Sequence, residues 1–231
     1  MATRPCAPCA VLFDVGNTLL EEQRFNLEDG IATVVPDQST VKEIAVAFRA
    51  DLASCHRHER ELLLAAWLRD RVPALATTAV PIVEDSIWPA VVKLAPRHNV
   101  ADVLNRLADD DVPLAAVSNA AFSGRVLRAE LARHGLADQL RFVLSSADVS
   151  TRKPNPAIFQ AAVARLGVAA DRTWFVGDTL DEDIAGAMRA GLQPIWLSDG
   201  ATFGPEFDGA HSVKDWAEFM RLYETSLDLS F

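Results

Sequence analysis

The chain has 231 residues, half of them hydrophobic, enough for one sizeable α/β domain or for a smaller core with an inserted lobe. Its 22 Lys and Arg stand against 32 Asp and Glu, a net charge of −10 with no basic block of the kind that follows nucleic acid. No apolar run approaches the roughly 20 residues of a membrane span, and "MATRPCAPCA" holds no signal-like apolar region, so a cytoplasmic protein without nucleic-acid or membrane partners is expected.

Cys6 and Cys9 form a C-x-x-C before the first expected strand. A redox pair should open a helix after a strand, and a zinc site needs a second pair, so these read as incidental thiols. With Cys55 the total is three, too few for a disulfide framework.

In chain order, Ala10 to Phe13 reads as the first strand. From about residue 21 to 96 only helix signals follow. Thr40 and Glu43 form a capping-box pattern ahead of the helical face Val41, Ile44, Ala45, Phe48 and Leu52. The polar stretch "SCHRHERE", whose "HRHER" reads as the solvated face of a helix, leads to Leu62, Leu63, Leu64 and Trp67. Pro73 and Pro81 then punctuate the way to an apolar segment from Ile87 to Leu94. The expectation is an all-helical insertion.

Beyond it, continuous apolar runs at Leu114 to Val117, Phe142 to Leu144, Trp174 to Val176 and Pro194 to Leu197 suit strands covered on both faces. Helices between them carry legible ends: Asn99 ahead of Val100, Asn155 ahead of Pro156, and a start near Asp181 that stops at Gly191. Alternating strands and helices imply right-handed crossovers and a doubly wound parallel sheet.

In such a sheet ligands bind outside the carboxyl ends of the strands. The polar residues that follow those ends form a short set. Asp14 ends the first strand, with Thr18 in its loop; Ser118 and Asn119 end the second; Lys153 follows the third in "STRKPNP"; Asp178 and then Asp183 follow the fourth. Clustered carboxylates repel one another unless a divalent cation sits among them, and hard oxygen ligands suit Mg²⁺. A lysine and a hydroxyl suit phosphoryl oxygens, and an exposed aspartate beside a metal can act as a nucleophile.

With these residues in order, "FDVGNTL", "AAVSN", "TRKPNPAIF" and "FVGDTLDEDIAGAMRAG" resemble the four motifs of the haloacid dehalogenase superfamily of hydrolases. The resemblance implies a Rossmann-like core over residues 1–20 and 97–231 and a helical cap over 21–96. It implies that Asp14 is the nucleophile, that Mg²⁺ is held by Asp14, the Gly16 carbonyl, Asp178 and Asp183, and that Ser118, Asn119 and Lys153 act on the phosphoryl group of a small phosphorylated substrate.

Most phosphatases of that family carry a second aspartate where this chain has Gly16. That residue protonates the leaving oxygen, a contribution of typically 10²- to 10⁴-fold in rate. Its absence favours substrates with good leaving groups, or a donor from among Glu21, Glu22, Asp148, His56 and His58. Carbon–halogen cleavage, phosphonate cleavage through a cap lysine (Lys42 or Lys93) and binding without turnover are the competing readings. Arg24, Arg57 and Arg60 in the insertion read as surface residues.

Overall fold

A computed structural model describes residues 6–202 and 204–228. Residues 1–5, part of the stretch read for a signal and of the first core segment, lie outside the described residues. Strand β1, Ala10–Phe13, is buried at all four positions, as its unbroken apolar sequence requires. Its side chains alternate between two cores: Val11 and Phe13 join Leu104, Leu107, Trp174 and Phe219 on one face, whereas Ala10 and Leu12 join Ala115, Phe159 and Phe175 on the other. Both faces of the sheet are therefore covered, and the fold is the doubly wound parallel α/β arrangement expected.

Strands β2, Leu20–Phe25, and β3, Val92–Pro96, were not expected. They form a two-stranded antiparallel ribbon, with Leu20 opposite Pro96 and Phe25 opposite Val92. In β2 only Leu20 is buried, so no hydrophobic alternation marks the strand, and cross-strand pairing sets it instead. The other strands are β4, Leu114–Ser118; β5, Leu140–Ser145; β6, Thr173–Gly177; β7, Gln193–Leu197; and β8, His211–Val213. The sheet runs β5-β4-β1-β6-β7-β8, every neighbouring pair parallel. Three-residue β8 was also not expected, being too short to leave a periodic signal.

Between the two ribbon strands lie the helices Leu27–Ala32, Gln38–His56, Leu64–Arg71 and Val80–Val91. They share a separate apolar cluster that includes Ile31, Val41, Ala45, Phe48, Leu68 and Ile87, joined by Phe122 from beyond β4. Phe48 and Trp67 meet edge-to-face at 5.2 Å between centroids. Gly30 lets two of these helices approach closely, since a Cβ there would run into Val91 and Ile87.

The cap of the long helix is Asp37, whose carboxylate accepts from Thr40 N at 2.8 Å, so Thr40 lies inside the helix it was expected to start. Asn99 precedes its helix in a left-handed conformation and makes no side-chain cap bond. Asn155 caps as expected, accepting from Ala157 N at 3.0 Å. Among the described residues no helix is long and apolar enough to cross a membrane.

Candidate active site

Adjacent strands deliver the polar residues to one end of the sheet. β1 passes directly into Asp14, whose N–H still bonds to Val176 O at 2.9 Å. β4 ends in Ser118, β6 in Gly177, and Asp178 follows at once. One turn of π-helix, Leu180–Ile184, then swings Asp183 back toward β6. Asp183 accepts from the backbone N–H groups of Asp178 (3.1 Å) and Thr179 (3.0 Å) through Oδ2. Gly177 makes this approach possible, because a Cβ there would collide with the Asp183 side chain.

Lys153 reaches the same point from the loop after β5. Its Nζ donates to Asp14 Oδ1 and to Asp183 Oδ1, both at 2.6 Å, and the lysine is 2% exposed. Asp14, Asp178 and Asp183 each offer a carboxylate oxygen within 4.8 Å of the others. A pocket of about 170 Å³ is lined by these four residues with Gly16, Ser118, Asn119, Thr179 and Glu182. The structure thus brings together every residue singled out from the strand ends except Thr18, which is fully buried and does not line the pocket.

The electrostatics follow from one ammonium facing three carboxylates. Burial raises the Asp14 carboxyl to about 7, with Asp183 and Asp178 pushing the same way and Lys153 opposing them. Burial and the neighbouring Asp183 also raise Asp178. For Lys153, burial acts against the charge, but Asp14 and Asp183 outweigh it and hold the ammonium firmly protonated.

Asn119 has a supporting geometry. Its Oδ1 accepts from Lys153 N (2.8 Å), while its Nδ2 donates to Lys153 O (3.0 Å) and to Glu182 (2.8 Å). These bonds clamp the backbone that carries Lys153. Glu182 also takes Arg152 at 2.9 Å, and Trp196 Nε1 fixes the Asp178 carbonyl at 2.7 Å. Neither Glu182 nor Trp196 was singled out from sequence. Glu182 stands beside Asp183 in the fourth motif, where spacing alone separates it poorly from Asp181 and Asp183.

Gly16 lines the pocket with open space where a side chain would begin: nothing lies within 4 Å of a Cβ built there, and its backbone is outside the left-handed region. The next residue, Asn17, does adopt φ 52°, and Arg97 donates to its carbonyl at 2.6 Å, tying the loop to the end of β3.

Of the candidate proton donors, Asp148 is occupied structurally, accepting from Gly124 N and Ser145 N. Glu21 faces solvent near Arg97, and His58 is exposed against Ser54 O. Lys42 and Lys93 are exposed and do not line this pocket. The solvated-helix reading of "HRHER" needs correction: Arg57, His58 and Arg60 are exposed, but the helix ends at His56. The next residue of the stretch, Glu61, is buried. Its carboxylate binds His56 Nε2 (3.1 Å) and Ser146 Oγ (3.1 Å). No periodic signal marks a buried acid in a turn.

The model of the haloacid dehalogenase-like hydrolase family matches residues 10–191. Glyceraldehyde 3-phosphate phosphatase of Methanopyrus kandleri is 32% identical over 83% of this chain and 84% of its own length. Ribulose-1,5-bisphosphate 5-phosphatase of Halopiger xanaduensis is 28% identical over 80% and 83%. In fold, the chain is similar to the 2-haloacid dehalogenase of Pseudomonas syringae, with a TM-score of 0.68 at 22% identity, covering 94% of this chain and 98% of that one. The match across both β1 and the Asp183 turn, together with these relatives, shows that the chain belongs to the haloacid dehalogenase-like hydrolases.

Proposed function

We propose that this hydrolase is a Mg²⁺-dependent phosphatase of a small phosphorylated metabolite, acting through an aspartyl-phosphate on Asp14. In this reading residues 1–20 and 97–231 form the catalytic core and 21–96 its cap. The observation that carries it is the Lys153 ammonium shared by Asp14 and Asp183, with Asp178 alongside in one pocket. The phosphatase names of the relatives that span most of the chain support the same reaction class.

The donor set fits a hard divalent cation. Three carboxylates converge on a single ammonium, and burial with mutual repulsion disfavours ionised Asp14 and Asp178, an imbalance that a divalent cation relieves. Asp14, Asp178, Asp183 and the Gly16 carbonyl would hold it. When bound, Mg²⁺ supplies positive charge that offsets the negative phosphoryl group.

Lys153 favours the ionised, nucleophilic form of Asp14 and lends charge to the phosphoryl oxygens. The bond from the Asp14 oxygen to phosphorus forms as the bond from phosphorus to the leaving oxygen breaks. Water then attacks phosphorus, releasing inorganic phosphate and restoring the Asp14 carboxylate. Ser118, at the end of β4, is placed to donate to the phosphoryl group, while Asn119 positions Lys153 through its backbone. Retention of Asp178 favours this chemistry over carbon–halogen cleavage, which needs no metal.

The test is phosphate release from p-nitrophenyl phosphate with and without Mg²⁺. Release that requires the metal supports the proposal, and equal rates after chelation contradict it.

A further inference from the structure

Beside the catalytic pocket lies a second cavity of about 320 Å³, between the helical insertion and the sheet. It shares Gly16, Ser118 and Asn119 with the catalytic pocket, so the two spaces meet where a leaving group would depart. Its walls are largely apolar and rich in aromatic rings: Phe25, Phe48, Leu52, Trp88, Leu94 and Phe122. Trp88 and Phe122 pack edge-to-face at 4.9 Å, and Trp88 Nε1 is tied to Glu130 at 3.0 Å. These rings are held in place rather than free to turn outward.

The basic side chains that line this chamber already have partners. Arg49 is bidentate to Glu28 at 2.8 and 2.9 Å, Arg152 binds Glu182, and His56 binds Glu61. Glu22 adds a negative charge at the rim. A substrate with a carboxylate or a second phosphate on its leaving group would have to compete with these carboxylates. An uncharged ring would instead meet apolar walls.

A second observation points the same way. Gly16 offers no proton to a departing alkoxide, whereas a phenoxide is stable enough to leave unprotonated.

Building on the phosphatase reading above, we infer that the substrate class is a phosphate monoester of an uncharged aryl group, its ring seated in this chamber. The bond between phosphorus and the phenolic oxygen breaks as the Asp14–phosphorus bond forms. The phenoxide departs with the electron pair and takes its proton from solvent. Water then clears the phosphoryl group as inorganic phosphate.

The experiment compares kcat/KM with Mg²⁺ for phenyl phosphate, cyclohexyl phosphate, phosphoglycolate and glyceraldehyde 3-phosphate. It uses the native chain and Leu52→Arg, a half-buried position where a new, unpaired cation meets the chamber. Native enzyme is expected to favour phenyl phosphate over both phosphoglycolate and glyceraldehyde 3-phosphate by about tenfold or more. Leu52→Arg, with its folding checked by circular dichroism, should raise KM for phenyl phosphate and lower it for phosphoglycolate.

Phosphatase activity that favours phosphoglycolate or glyceraldehyde 3-phosphate, or shows no preference, overturns the aryl assignment and leaves the phosphatase reading standing. Equal rates on cyclohexyl and phenyl phosphate overturn the leaving-group argument. Absence of Mg²⁺-dependent phosphate release from every ester overturns the phosphatase reading and the substrate class with it.

Discussion

Lys153 Nζ donates to Asp14 Oδ1 at 2.6 Å, joining the end of the first strand to a loop 139 residues later. The same ammonium holds Asp183, so one buried cation ties together three segments of the chain. Lys153→Met leaves two buried carboxylates without that partner. It is expected to destabilise the fold by about 3 to 5 kcal/mol, as removal of one member of a buried ion pair does. Urea denaturation checks this; a loss below about 1 kcal/mol would show that the carboxylates simply take up protons. Lys153→Arg should not restore activity, because a planar fork cannot reproduce a compact ammonium between two close oxygens.

Gly16 faces open space with a backbone that any residue can adopt. Gly16→Asp is therefore expected to fold normally and to raise kcat on cyclohexyl phosphate, by up to about 10² to 10⁴-fold. Phenyl phosphate, whose leaving group needs no proton, should gain far less. Steady-state kinetics on the two esters decide it. No gain on the alkyl ester would mean that the glycine serves something other than the absence of an acid.

Glu61 is a buried acid that joins the insertion to the core, accepting from Ser146 Oγ and Leu62 N and pairing with His56. Glu61→Ala should cost roughly 1 to 3 kcal/mol, the usual penalty for stranding buried hydrogen-bond partners. It should also raise KM for aryl esters, since both Glu61 and His56 line the chamber. A stability change without any change in KM would confine Glu61 to a structural part.

Tyr223, buried against Trp174, donates its hydroxyl to Asp110 at 3.1 Å. Burial and this hydrogen bond raise its pKa from 10.0 to about 12. Folding therefore favours the protonated phenol. The stabilisation is complete below pH 10 and is lost as pH rises from there toward 12. Melting temperatures of native protein and Tyr223→Phe should converge across that interval. A constant difference would rule out the titration.

The parallel sheet and the rim of polar residues were legible because they rest on local signals. Unbroken apolar runs such as "VLF" mark doubly covered strands, and Asp14, Ser118 and Asp178 stand directly at their ends. What escaped depends on partners distant in sequence. β2 takes its extended form from pairing with β3, about seventy residues on, and its own sequence "LEEQRF" is almost wholly exposed. Glu61 carried no mark of burial among its polar neighbours; only tertiary contact with Ser146 and His56 buries it. Asn119 was legible as a strand-end residue, but its grip on the Lys153 backbone emerges only when β4 and the loop after β5 are brought together.

Phosphate release from phenyl phosphate in Mg²⁺, measured for native protein and for Asp14→Asn with matched folding, tests the central claim most directly. Release by the native chain and none by Asp14→Asn is the predicted result. Equal release by both would show that Asp14 is not the nucleophile.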